Sequence, residues 1–158
     1  MQRIKIDLPD SFQFSTIIPV RITDINYGGH VGNDSILSII HEARLQFFKS
    51  FGFSEMDIGG AGTIMRDVAI EFKNESFYGD NLIVSVATGE FAKVGFDLFY
   101  KLEKESGGNK VLIAAAKTGI ICYDYEKKKM TAIPEIAKQK FIERIKNSSS
   151  SSFLPPVS

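Results

Sequence analysis

From Ser35 to Ser50 the apolar residues return with a helical period. Ile36, Ile40, Ala43 and Phe47 fall on one face, and Leu37, Ile39, Leu45 and Phe48 widen it. Ser35, Ser38, Glu42 and Lys49 share the opposite side. So broad an apolar face predicts a helix that is mostly buried. Before it, "FQFSTIIPVRITDIN" is rich in β-branched and aromatic residues and reads as a strand, with Pro19 demoting part of it or placing it near a sheet edge. Gly28, Gly29 and Gly32 break that strand, and Asn33 or Asp34 is expected to cap the helix.

Beyond the helix, "GFSEMDIGGAGT" reads as a loop. Four strand patterns follow: "TIMRDVAIEFKN", "LIVSVATGEFAK", "GFDLFYKLEKE" and "KVLIAAAKTGIICYDY", with a hairpin turn at "SGGN". "EKKKM" reads as a charged turn and "IPEIAKQKFIERIK" as a C-terminal helix with Pro134 near its start. Residues 1–146 are expected to form a single domain, and "NSSSSSFLPPVS", 147–158, a flexible tail. The order of elements is α+β: one antiparallel sheet with a helix against one face. The sheet must curve to cover so apolar a helix, and a second copy of the chain is a natural cover for its edges.

Composition narrows the function classes. The chain has 158 residues and a formal net charge of zero, from 19 basic and 19 acidic residues. Neither nucleic acid nor a membrane surface is favoured by bulk electrostatics. No apolar run approaches the length of a membrane span, and the N-terminus has no continuous apolar signal core, so a cytoplasmic protein is expected. Cys122, the single cysteine, lies in the apolar run "TGIICYDY" and reads as a small buried hydrophobe. No phosphate loop, metal-ligand cluster or nucleophile elbow is present, so no metal or cofactor is expected.

Chemistry-bearing residues concentrate in "TDINYGGHVGN", which holds Asp24, Asn26 and His30 around a glycine-rich turn. "RITDINYGGHVGNDSILSIIHEAR" resembles the first strand, turn and central helix of hotdog-fold acyl-thioesterases of the 4-hydroxybenzoyl-CoA thioesterase-like group. The matching positions are Asp24 and Asn26, then Gly29, His30, Val31 and Asn33, then Glu42, Ala43 and Arg44. Gly79 and Asp80 match a later Gly-Asp turn. The resemblance implies a hotdog fold, in which a curved antiparallel sheet wraps a long central helix. It also implies hydrolysis of an acyl thioester, an acyl-CoA or an acyl-carrier-protein derivative, in a homodimer or homotetramer whose interface forms the acyl channel.

The chemistry is consistent with this. Unpaired N–H groups at a helix N-terminus stabilise charge developing on a carbonyl oxygen, which makes Gly32–Asn33–Asp34 the natural oxyanion site. Gly29 allows a close approach of backbone to substrate. The departure is Asn26, which stands where the resembled enzymes carry a catalytic acid; an amide cannot serve as a carboxylate base. Plant acyl-carrier-protein thioesterases are similar in showing Asp-x-Asn with a later His and a helix Glu. By that resemblance Asp24, Asn26, His30 and Glu42 form a catalytic constellation, with Asp24 or Glu42 as base. Arg66, Lys73 and above all Lys93 are candidate partners for coenzyme A phosphates. His41 reads as structural, and Arg44 as the partner of an acid. A non-catalytic acyl-thioester binding module and an enoyl-thioester hydratase are the alternatives.

Overall fold

A computed structural model describes residues 1–151. Strands β1 (Phe14–Pro19), β2 (Gly62–Phe72), β3 (Asn81–Phe91), β4 (Gly95–Ser106), β5 (Asn109–Asp124) and β6 (Lys129–Met130) form one antiparallel sheet, with helices α1 (Asn33–Lys49) and α2 (Glu135–Ser151). The order across the sheet is β1-β3-β4-β5-β2, with β6 paired to β5. The sheet curves around α1, the hotdog architecture. No helix among the described residues is long and apolar enough to cross a membrane.

Alternation along the strands builds the concave face. Leu82, Val84 and Val86 of β3, Leu98, Tyr100 and Leu102 of β4, and Ala114, Ala116 and Thr118 of β5 are all buried. Cross-strand pairs set large against small: Tyr100 opposes Ala116, and Leu102 opposes Ala114. The small residues of β5 leave room for the helix, whose Ile36, Ile40, Ala43 and Phe47 are buried as the periodicity predicts. At the C-terminal end of α1, Phe47, Phe51 and Phe53 gather around Phe141 of α2.

Several local expectations are corrected. The first strand stops at Pro19, and Ile22–Asp24 form a single 3-10 turn. The Arg21 N–H donates to the Asp24 carboxylate, which turns the chain out of strand geometry. The helix is capped by Gly32, with no side-chain cap from Asn33 or Asp34. Ser35 is buried and Leu45 partly exposed, the reverse of their expected sides, because β1 leaves the Leu45 flank of α1 uncovered. Lys129–Met130 of the expected charged turn pair with Tyr123 and Asp124. The C-terminal helix runs through Ser151, beyond Asn147 where the tail was expected to begin. The Ser148 hydroxyl donates to the Arg144 carbonyl, an intrahelical bond that suits serine at a helix end. Residues 152–158 of that tail lie outside the described residues.

Candidate active site

The turn between β1 and α1 is held by its own polar groups. Asp24 is buried, and its carboxylate accepts from the Arg21 N–H at 2.8 Å and from the Arg21 guanidinium at 3.3 and 3.4 Å. The Asp24 carbonyl accepts from the Gly32 N–H at 3.0 Å, tying the turn to the helix cap. The Asn26 side-chain oxygen accepts from the Gly28 N–H at 2.9 Å, an Asx turn, while the Asn26 N–H donates to the His30 carbonyl. Gly29 sits at φ 84°, left-handed backbone where a side chain would be strained.

This turn delivers His30 and the first residues of α1 to a cavity of about 210 Å³. Val31, Ile36, Phe72 and Ile113 supply its apolar floor, and His30, Asn33, Lys73, Glu75 and Ser76 its polar rim. The first N–H groups of α1 lack helical acceptors, and the Ile36 N–H is the first to bond back, to the Gly32 carbonyl. The His30 Nδ1 lies 3.3 Å from the Val31 carbonyl oxygen. A carbonyl only accepts, so this contact places a proton on Nδ1, and in the neutral ring Nε2 is then the acceptor. Nε2 lies 3.8 Å from a carboxylate oxygen of Glu75.

The β2–β3 loop carrying Glu75 is anchored on both sides. The Asn74 side-chain amide donates to the Leu112 carbonyl at 2.7 Å. The Ser76 carbonyl accepts from the Val31 N–H at 2.8 Å, joining this loop directly to the residue after His30. The Ser76 hydroxyl donates to Asp80, whose carboxylate also accepts from the Phe77 N–H and from Lys104 Nζ. Burial alone would raise the Asp80 carboxyl, but these donors hold it below the ordinary carboxylate range. Asp80, read from sequence only as part of a Gly-Asp turn, is thus the clamp of the loop that borders the cavity.

The sequence-expected constellation is divided. Asp24 and Glu42 line a separate cleft of about 420 Å³ between β1 and the outer flank of α1, with Arg21, His41 and Gln46. Glu42 accepts from the Gln46 amide at 2.8 Å. Nine helical steps separate Asn33 from Glu42, an axial distance of about 13 Å, more than a glutamate side chain spans. Within one chain the structure brings His30 and Asn33 together, with Gly29 and Gly32 shaping the backbone between them, and keeps Glu42 apart. Lys93 lies in the exposed β3–β4 turn, beyond the row Gly95–Ile121–Ile64, while Ile113 of the cavity sits roughly 25 Å away along β5. Glu75 was missed from sequence. It is far from His30 in the chain, and only the Val31–Ser76 bond makes them neighbours.

His41 Nε2 lies 3.1 Å from Glu55, and the Arg44 Nε donates to the same carboxylate at 2.9 Å. A further Arg44 nitrogen lies 3.4 Å from the Tyr100 hydroxyl, which bonds Thr118 at 2.8 Å. This network joins α1 to the sheet and lies outside the cavity. Among the described residues, no cluster of three or more His, Cys, Asp or Glu side chains is arranged to hold a metal ion.

A glycine-bent turn feeding a long helix wrapped by a curved sheet defines a hotdog protein. Residues 20–141 match the model of the thioesterase-like superfamily, and the chain belongs to that superfamily. Solved structures agree on the fold. A 1,4-dihydroxy-2-naphthoyl-CoA thioesterase from Synechocystis superposes with a TM-score of 0.73 at 21% identity, over 82% of this chain and 96% of that one. A DHNA-CoA thioesterase from Staphylococcus aureus gives 0.72 at 17% identity, over 89% and 95%. The probable thioesterase YbaW from Escherichia coli gives 0.68 at 21% identity, over 82% and 96%. No curated protein matches.

Proposed function

We propose that this protein hydrolyses an acyl thioester, an acyl-CoA in the first instance, to a free acid and a thiol. The observation that carries this reading is the cavity at the start of α1. His30 and the unpaired N–H groups at Asn33 open onto one apolar-floored space, in a chain of the thioesterase-like superfamily. The thioester carbonyl lies against those N–H groups, which stabilise the oxyanion as water attacks. Asp24 and Asn26 hold the turn that aims His30, and Gly29 supplies the backbone conformation the turn needs.

The reading uses two copies of the chain. β2 is an eleven-residue strand with one unpaired edge, and Ile64, Met65, Val68 and Phe72 on it are exposed. Two β2 edges paired antiparallel about Val68 set Phe72 of one chain opposite Ile64 of the other. That register brings the Lys93 turn of one chain toward the cavity of its partner, where the ammonium suits a coenzyme A phosphate. Glu42, remote from the cavity within its own chain, faces the β1 border rather than this edge.

Purified protein is expected to release thiol from members of an acyl-CoA panel, with His30→Ala lowering kcat by at least about 100-fold. Rates indistinguishable from buffer across the panel would sink the reading. The Asn26 amide, already engaged with Gly28 where an acid is usual, favours a second reading: an acyl-thioester binding module. Saturable acyl-CoA binding without thiol release would select it.

A further inference from the structure

The hydrolytic reading lacks a carboxylate at Asn26, and the structure offers another, Glu75, on the rim of the cavity that His30 borders. We infer that Glu75 and His30 together hold the attacking water, so that a residue of the β2–β3 loop does the work of the acid that position 26 lacks. This rests on the hydrolase reading above.

Geometry carries the inference. In the neutral imidazole that acts as a base, the Nδ1 contact to the Val31 carbonyl makes Nε2 the acceptor, and Glu75 presents an acceptor oxygen 3.8 Å away. Two acceptors at that separation do not bond each other. They suit one water placed about 2.8 Å from each, donating one hydrogen to either side. Both groups border the cavity that receives the unpaired N–H groups of α1. Although the Glu75 side chain is exposed, the residues on either side of it are bonded to the rest of the fold. Asn74 is tied to Leu112, Ser76 is buried and tied to Val31, and the Asp80 clamp holds Ser76 from below.

The steps balance without a co-reactant. Water oxygen bonds the carbonyl carbon as its proton passes to His30 Nε2, with Glu75 accepting the second hydrogen bond and opposing the positive charge that forms on the imidazole. The tetrahedral oxyanion collapses, the carbon–sulfur bond breaks, and the imidazolium returns its proton to the departing thiolate. A carboxylic acid and a thiol leave.

The test is steady-state kinetics on the full chain with the acyl-CoA it hydrolyses fastest, for wild type, Glu75→Gln, Glu75→Asp, His30→Gln, the Glu75→Gln/His30→Gln double variant and Glu42→Gln. Glu75→Gln is expected to lower kcat by about 10- to 100-fold with KM within about threefold, and Glu75→Asp to recover part of the loss. Because both groups act on one water, the double variant should fall little below the worse single variant. Thermal unfolding of Glu75→Gln should match wild type, which separates lost chemistry from a disturbed loop. Wild-type turnover with Glu75→Gln within twofold overturns the inference and leaves the hydrolase reading standing. A loss on Glu42→Gln alone would then assign the base to α1 instead of the β2–β3 loop. A wild-type chain without turnover overturns both.

Discussion

Arg44 shows how one residue joins the central helix to the sheet. Its guanidinium is buried, with Glu55 in ion-pair contact and Tyr100 behind it. Truncating Glu55 leaves that charge without its counter-ion, which costs far more than the pair contributes in water. Glu55→Ala is therefore expected to destabilise the fold by about 3 kcal/mol, read by urea unfolding at neutral pH. The pH dependence has a definite sign. Burial alone would raise the Glu55 carboxyl, but hydrogen bonds from Arg44 and His41 hold it below its ordinary value. A lowered folded pKa stabilises above the unfolded value, and that contribution disappears as pH falls through the folded one. The stability gap between wild type and Glu55→Gln should thus be full near neutrality and close as the pH drops below the ordinary carboxylate range. A gap that stays constant down to strong acid would show that the Glu55 charge contributes nothing. Cys122 is buried without a cation beside it, and burial pushes its thiol up to about 11. It is structural, as its apolar run implies.

At the scale of elements, the two helices meet through aromatic rings. Phe141 of α2 is fully buried and stacks on Phe47 with centroids 5.7 Å apart. The Gln13 amide also donates to the Phe141 carbonyl and its oxygen accepts from the Thr88 N–H, so the N-terminal arm, β3 and α2 close on this point. Phe141→Ala should cost about 3–5 kcal/mol and loosen α2, seen as faster amide exchange there than in β3–β5. Undiminished protection in α2 would refute that. Elements whose signal is local were legible in the chain: the apolar face at Ile36, Ile40, Ala43 and Phe47, the alternation through Phe96 to Leu102, and the glycine turn before the helix. What was illegible depends on partners distant in sequence. The expected sides of Ser35 and Leu45 failed because the border of a helical face is set by the neighbour that covers it. β2 crosses to the far edge beside β5 through a register no short window contains. Half of the candidate site was readable in "GGHVGN", whereas Glu75 enters through tertiary contact.

Among the described residues the main path of the sheet ends in two borders, β1 and β2, and they differ. β2 is long, open and apolar, while β1 is six residues long, ends at Pro19 and passes into a 3-10 turn. Val68→Lys places a solvated cation at the middle of the open edge and should convert an associated form to single chains in light scattering. If the substrate channel spans two copies, thiol release should be lost with association. Full activity in a monomeric Val68→Lys would refute a shared channel.

That inequality of borders also limits growth. A strand joined to its like about a two-fold axis consumes the same surface on both sides, and what each copy then presents outward is β1, too short and too soon bent to template another. A sheet open at both borders invites fibres, each addition exposing a fresh terminus. Were two copies to join through β2, that union would use the longer border of each among the described residues, and further edge-to-edge addition would have to start from β1.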